Sequence, residues 1–280
     1  MQLIYRTPCE QIPNAISGLF GRLVVGVGTT LRIYELGMKK LLRKQENKNF
    51  KSPIISIECS GNRIFAGDVQ ESVHVLKYKP EVGQLYIFAD DVLNRWLTSF
   101  CLLDEDTIAG VDKCENFFVN RLPLGCEEDA EDDPASSKQQ WESGFLNGAK
   151  YKMEKINQFF TGEVGTCARK VQLTPSTNEL ILVGTTMGGL YCMLPFETRQ
   201  DVDLFVHLQM YMQIESQTLS GRDHTSFRSS MEPLKAVVDG DLCEQFSKLD
   251  FHTQRTISEE LDRGPGEIIK KLEQIRNKVL

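Results

Sequence analysis

Three glycines, Gly26, Gly67 and Gly110, each close a short apolar run just before a polar turn, and they stand 41 and 43 residues apart. A repeat of this length is one supersecondary unit used again, and it constrains architecture before any single motif does. The same strand order recurs around each glycine. The first unit reads Ala15 to Phe20, Gly21-Arg22, Leu23 to Gly26, a polar turn and Leu31 to Tyr34, with Lys40 to Gln45 as a fourth strand. The second reads Ile55 to Ile57, Gly61 to Arg63, Ile64 to Gly67, a turn over Asp68 to Ser72, Val73 to Val75, and Leu85 to Phe88. A third runs from Leu97 through Thr107 to Gly110 and Phe117 to Val119, finding its last strand only at Lys152 to Phe160. A fourth has Lys170 to Leu173, Leu180 to Gly184 and Gly189 to Met193. Such a unit of short strands is one blade of a β-propeller. A meander or sandwich also sets short strands between turns, but equal periods and a repeated order favour blades. The glycines are expected where a missing Cβ admits positive φ or a bulge.

The expected fold is mainly β: a partial β-propeller of about four four-stranded blades over residues 1–197, then a C-terminal α-helical domain over residues 198–280. From Gly110 to Gly184 the interval widens to 74 residues, which places an insertion at 125–148. Its block from Glu127 to Pro134 is almost wholly acidic, and self-repulsion with low hydrophobicity predicts a solvated loop. After Pro195 the apolar spacing turns helical. Val202, Phe205, Leu208 and Met212 share one face behind Asp201 as N-cap. Val238 to Phe246, Ser258 to Leu261, and Ile268 to Val279 continue it. Ser258-Glu259-Glu260 reads as a cap with an acidic first turn, and Pro265 as the start of the last helix.

Charge and cysteine usage bear on partners. The 32 basic and 39 acidic side chains leave a net charge of -7, which repels a phosphate backbone unless basic groups cluster. The basic stretch Lys39, Lys40, Arg43, Lys44, Lys48 and Lys51 has no interleaved aromatic before Phe50, so it reads as a solvated outer strand and loop. The apolar runs are far too short to cross a bilayer and no secretory signal precedes them, which predicts a soluble intracellular chain with no membrane partner. Eight cysteines without a C-x-x-C pair are expected to stay reduced. His74, His207, His224 and His252 lie apart from one another and from most cysteines, so neither a metal nor a cofactor is expected.

Catalytic signatures are missing from the sequence: there is no Walker loop, H-E-x-x-H, G-x-S-x-G or kinase set. Gly184 to Gly189 joins two strands and opens no helix, so it reads as a hairpin turn and not a phosphate loop. Gly221 to Ser229 holds Asp223, His224 and Ser226, but sequence neighbours rarely converge as nucleophile, base and orienter. A hydrolase using Asp223 and His224 is therefore outweighed by a structural bracket. In that bracket Arg222 and Arg228 supply planar donors, Asp223 bonds local amides, and Phe227 fills an apolar slot.

The tail segments Gly221 to His224, Phe227 to Ser229, Val238 to Phe246 and Ser258 to Arg263 resemble the C-terminus of the splicing factor 3b subunit 3 family. Upstream, Ile33 to Gly37, Asp68 to Ser72, Phe88 to Asp91 and Phe145 to Ala149 fit the same group, so the resemblance covers essentially the whole chain. The Asp-Gly-Asp-Leu segment at Asp239 to Leu242 is shared with the wider family of the large damaged-DNA-binding subunit and the largest cleavage and polyadenylation factor subunit. Gly-Arg-Asp-His and Asp-Val-Gln-Glu-Ser point to the splicing branch.

The resemblance implies that residues 1–197 belong to the third of three seven-bladed propellers. It also implies that Arg222, Asp223, His224, Phe227, Arg228, Asp239, Gly240, Asp241, Leu242, Glu244 and Phe246 form a family-type structural bracket. No enzymatic activity follows from it. It implies a nuclear, non-catalytic scaffold of the splicing factor 3b complex in the U2 small nuclear ribonucleoprotein. Its implied partners are the helical-repeat large subunit, the small subunits and the remainder of the propeller protein, with pre-mRNA or U2 RNA reached only indirectly. Members of the family are very long, so a piece of a larger protein with exposed apolar end-blades is expected. The same fold in another assembly would be an adaptor for DNA repair, ubiquitin ligation or RNA 3′-end processing.

Overall fold

The computed structural model describes residues 6–128, 148–173, 178–216 and 221–278. Strands β1 (Pro13–Leu19), β2 (Arg22–Val27), β3 (Thr30–Leu36) and β4 (Leu41–Asn47) form a first antiparallel meander. The second contains β5 (Ile54–Ser60), β6 (Arg63–Asp68), β7 (Val73–Lys79) and β8 (Gln84–Asp90). The third contains β9 (Leu97–Leu102), β10 (Thr107–Asp112) and β11 (Asn116–Arg121), closed across the insertion by β13 (Glu154–Phe160). Short β12 (Tyr151–Lys152) first runs parallel to β8 at the edge of the second blade. The fourth sheet holds β14 (Gly165–Val171), β15 (Leu180–Thr185) and β16 (Leu190–Met193), three strands among the described residues. The expected four-blade partial propeller is thus present.

The blades pack in series along their first strands, β1 on β5, β5 on β9 and β9 on β14. Middle strands such as β10 are buried on both faces, which is why they read as continuous apolar runs. Three cores fill the three junctions: Leu31, Ile33, Ile54 and Leu76; then Phe65, Phe88, Phe100 and Phe118; then Val111, Phe117, Ala168 and Val183. Each large side chain taken fully out of water contributes about 1.5–3 kcal/mol.

The periodic glycines serve close approach, not the positive φ the sequence suggested. A Cβ on Gly26 would lie 2.8 Å from Ile54 Cγ2, and one on Gly67 would overlap Leu97 Cδ2, both on the first residue of the next blade's inner strand. The bulge falls on the partner strand, where register slips between Pro13 and Ala15 opposite Gly26 and between Ile54 and Ser56 opposite Gly67. At the third junction the roles reverse: Gly165 makes room for Val111, while Gly110 makes room for the Phe118 ring.

Most of the acidic insertion, residues 129–147, lies outside the described residues. Glu127, expected in solvent, instead bridges Arg63 and Lys77. Burial pushes its carboxyl up, but hydrogen bonds from Lys77 and Arg63 outweigh this and hold it below the usual range. The returning chain is held by Asp90, which accepts from the Ala149 amide at 2.9 Å and from Lys152 Nζ at 2.5 Å.

The tail contains α1 (Arg199–Glu215), α2 (His224–Arg228), α3 (Gly240–Glu244) running into a 3-10 turn, α4 (Phe251–Glu260) and α5 (Pro265–Arg276). Phe205, Leu208, Met212, Leu242, Phe246, Ile257 and Ile268 form its core. Two expected caps shift. Thr198 caps α1, accepting from the Asp201 amide at 3.1 Å, so Asp201 sits in the first turn; Val202 faces solvent and Leu204 turns inward. Asp250 caps α4 by accepting from the Thr253 amide, so Ser258 falls in the last turn of that helix, its hydroxyl donating to the Gln254 carbonyl. Pro265 opens α5 as expected.

Gly67→Val is expected to lower stability by about 1–3 kcal/mol through overpacking. Gly240→Ala, whose Cβ meets open space, should stay within about 0.5 kcal/mol of wild type. Urea unfolding midpoints measure both, and an unchanged midpoint for Gly67→Val would refute the close-approach explanation.

Candidate functional site

Asp223 starts the candidate bracket by capping α2, accepting from the Ser226 amide at 3.0 Å and the Ser226 hydroxyl at 3.2 Å. One helical turn then puts His224 and Arg228 on the same face, and both reach Asp239. Arg228 Nε donates to Asp239 Oδ2 at 2.8 Å and its Nη2 lies 2.7 Å from the same oxygen; His224 Nε2 is 3.4 Å away. The other carboxylate oxygen, Asp239 Oδ1, caps α3 by accepting from the Leu242 amide. The Asp239 amide donates to Gln209 Oε1 of α1 at 2.6 Å. A single buried residue thereby links three helices, α2 and α3 through its carboxylate and α1 through its backbone amide.

The same guanidinium docks the tail on the third blade. Arg228 Nη1 donates to the carbonyls of Phe160 and Thr161 at 3.0 and 3.2 Å, and its plane lies over the Phe159 and Phe227 rings at 4.5 and 5.2 Å. Phe227 meets Phe160 edge-on at 5.5 Å. A planar fork that both hydrogen-bonds and stacks is a role for arginine and not lysine.

A second tether runs along β13, where Gln158 and Lys235 exchange backbone hydrogen bonds at 3.0 Å. Nearby, Arg95 is 3% exposed and joins Asp91 at 3.3 Å, Asp112 at 3.5 Å and Glu232 at 3.0 Å. Its Nη2 donates to Gln158 Oε1 at 3.2 Å, and the cation lies 4.3 Å over Phe118. Beside the tethers, a cleft of about 890 Å³ opens between the last blades and the tail, walled by Ile156, Ile181, Met193, Phe196, Phe205 and Val238.

Of the residues expected in the bracket, the structure brings Asp223, His224, Phe227, Arg228 and Asp239 together. Gly240 and Asp241 begin α3, and Leu242 and Phe246 enter the tail core. Glu244 pairs instead with Arg276 of α5 at 3.1 Å, and Arg222 is exposed ahead of the cap. The triad-type residues do not assemble for hydrolysis, because Ser226 donates to Asp223 while His224 faces Asp239. Two clusters escaped the sequence reading: Arg95 with its partners, and Asp68, Glu71 and His74, whose donor atoms lie within 4.8 Å of one another.

Removing Arg228 leaves Asp239 buried without its guanidinium, so Arg228→Ala is expected to destabilise tail docking by about 3 kcal/mol. Hydrogen exchange should show α2 and α3 losing protection while β5 to β8 keep theirs, and Arg228→Lys should recover only part; uniform loss across the blades would contradict a local bracket. Burial pushes the His224 imidazole down by more than the Asp239 charge raises it, with Arg228 adding to the fall. The unfolded chain therefore binds a proton more readily than the folded one, and stability falls as pH drops below about 6.5. Thermal melts at pH 7.5 and 5.5 should show a loss that His224→Gln lessens; an equal loss in the variant would show that other groups govern this window.

Residues 1–248 match the family described as the CPSF A subunit region. Spliceosome-associated protein 130 A of Arabidopsis thaliana is 49% identical over 280 residues, and Splicing factor 3B subunit 3 of Danio rerio 46% over 278. Pre-mRNA-splicing factor RSE1 of Mycosarcoma maydis is 39% identical over 276. These alignments cover 99–100% of this chain and 23% of each relative, so the chain spans about a quarter of the length of the curated relatives it matches. With propeller blades, a docked helical tail and a family match over most of its length, the chain belongs to the CPSF A subunit family and is similar to the C-terminal part of splicing factor 3B subunit 3.

Proposed function

We propose that this chain is a non-catalytic interaction scaffold of the splicing factor 3b complex in the U2 small nuclear ribonucleoprotein, acting in the nucleus to support branch-site recognition in pre-mRNA splicing. The observation that carries the reading is likeness along the whole of this chain to parts of relatives named as splicing factors or as spliceosome-associated. The geometry supports it. Its triad-type residues are committed to a structural bracket, while apolar side chains lie exposed on the outer blades: Ile12, Ile16 and Phe20 at one end, Leu173, Met187 and Leu190 at the other. Exposed apolar patches of this kind are surfaces that other protein covers.

Further blades of a longer propeller are the proposed occupants of these two ends. The large helical-repeat subunit and the small subunits of the complex are the proposed partners of the blade loops and tail. A division into propeller, residues 1–197, and helical domain, residues 198–280, goes with this reading, since β16 ends at Met193 and α1 begins at Arg199. RNA is reached indirectly in this proposal. The basic strand is occupied within the fold, with Lys44 paired to Glu35 and both Arg43 and Lys48 to Glu46. Among the described residues no helix is long and apolar enough to cross a membrane.

Affinity purification of the tagged chain from nuclear extract, with quantitative mass spectrometry, tests the assignment. Splicing factor 3b subunits are expected to be enriched together over an unrelated propeller control. Enrichment of cleavage and polyadenylation or ubiquitin-ligase proteins in their place would overturn it, as would enrichment of none.

A further inference from the structure

The turn between β6 and β7 gathers side chains that neither the bracket nor the scaffold reading uses. Asp68 ends β6, Ser72 turns the chain at φ 72°, and His74 is the second residue of β7. The Asp68 amide donates to the Ser72 carbonyl at 2.9 Å, closing the turn. Asp68 Oδ1 accepts from the amides of Gln70 and Glu71 at 2.9 and 2.5 Å, which fixes the carboxylate. Its Oδ2 lies 3.3 Å from His74 Nε2, and Glu71 Oε2 lies 3.7 Å from the same nitrogen. All three side chains are at most 1% exposed. The Phe50 ring meets the imidazole edge-on at 5.1 Å and walls the cluster.

One imidazole nitrogen and two carboxylate oxygens form a mixed N/O donor set. Magnesium and calcium favour six or more oxygens, whereas zinc accepts this set in tetrahedral geometry. Bonds of about 2.0–2.2 Å in a tetrahedron separate neighbouring donors by roughly 3.3–3.6 Å; of the two measured separations, 3.3 Å stands at the lower edge of that range and 3.7 Å just above it. Two backbone amides holding the far oxygen of Asp68 provide the outer-shell orientation that metal ligands need.

We propose that Asp68, Glu71 and His74 form a buried structural zinc site that locks the β6–β7 turn of the second blade. The three side chains supply three ligands, leaving the fourth position for a water. Enclosure suits a structural ion that loads as the blade folds, since ligand binding and folding are then one equilibrium.

The full chain, produced in zinc-supplemented medium and desalted, provides the test. Elemental analysis should find about one zinc per chain, as loading on folding requires. Competition with a chromophoric chelator should show at least a ten-fold weaker hold in Glu71→Gln and His74→Gln. His252→Gln, on an exposed position of α4, should behave as wild type. Cobalt(II) supplied in place of zinc should give the visible absorption of a tetrahedral ion in the wild-type chain, a readout independent of whether the variants fold. Zinc below a tenth of an equivalent in wild type, equal retention in a folded Glu71→Gln, or no cobalt spectrum would overturn the proposal and leave the three side chains as contacts of the turn alone.

Discussion

A guanidinium almost wholly removed from water must find its counter-charges inside the protein, and those of Arg95 come from three parts of the fold. Asp91 follows β8 at the end of the second blade, Asp112 and Gln158 belong to the third, and Glu232 comes from the tail. Buried ion pairs add little net stability over a well-packed apolar replacement, but losing one partner strands a charge in a poor dielectric. The network therefore acts mainly on specificity. It joins the second blade, the third blade and the tail at one point. Burial pushes the Asp112 carboxyl up despite hydrogen bonds from Asn116 and the charge of Arg95, a sign of how dry this junction is.

Around that junction the propeller follows from crowding at its inner strands. Blades that converge bring the second strand of one against the first strand of the next, and at Gly26 and Gly67 no Cβ fits between them. Bulges opposite these glycines absorb the mismatch in register without breaking the ladder. The long insertion is tolerated for a related reason. Both of its ends are pinned, Glu127 to Arg63 and Lys77, and Ala149 with Lys152 to Asp90, and loop closure costs only slowly more as the intervening chain lengthens.

The blades were legible in the sequence because a periodic glycine and a repeated strand order are local, redundant signals. Helix caps were less so. Asp201 and Ser258 are sound capping types, yet the first helical residue is set by packing, which moved the caps to Thr198 and Asp250. Within the bracket, Asp223 was readable since its bonds stay inside one turn. The Arg228 contacts with Asp239 and Phe160 span 11 and 68 residues, and only the family resemblance suggested their region. Nothing marked Arg95, whose bond to Glu232 spans 137 residues. The Asp68, Glu71, His74 spacing stands in the sequence, but carboxylates are too common near histidines to mark a cluster until the β6–β7 turn brings the three together.

The bracket also bears on what the tail does. A catalytic His and Asp must face a substrate, whereas His224 and Asp239 are buried against each other, and the Asp239 carboxylate and amide are bonded to α2, α3 and α1. What the tail turns outward is different in kind. Val202, Val206, Met210 and Ile214 recur every four residues along α1 and are exposed, on the side away from Phe205, Leu208 and Met212. One face of this helix thus builds the tail core while the other carries an apolar stripe. Arg228 links that helix to the third blade through Asp239, whose amide donates to Gln209, so its outer face is presented in a set orientation. A rigidly presented surface lowers the ordering cost of association, which suits the proposed scaffold role.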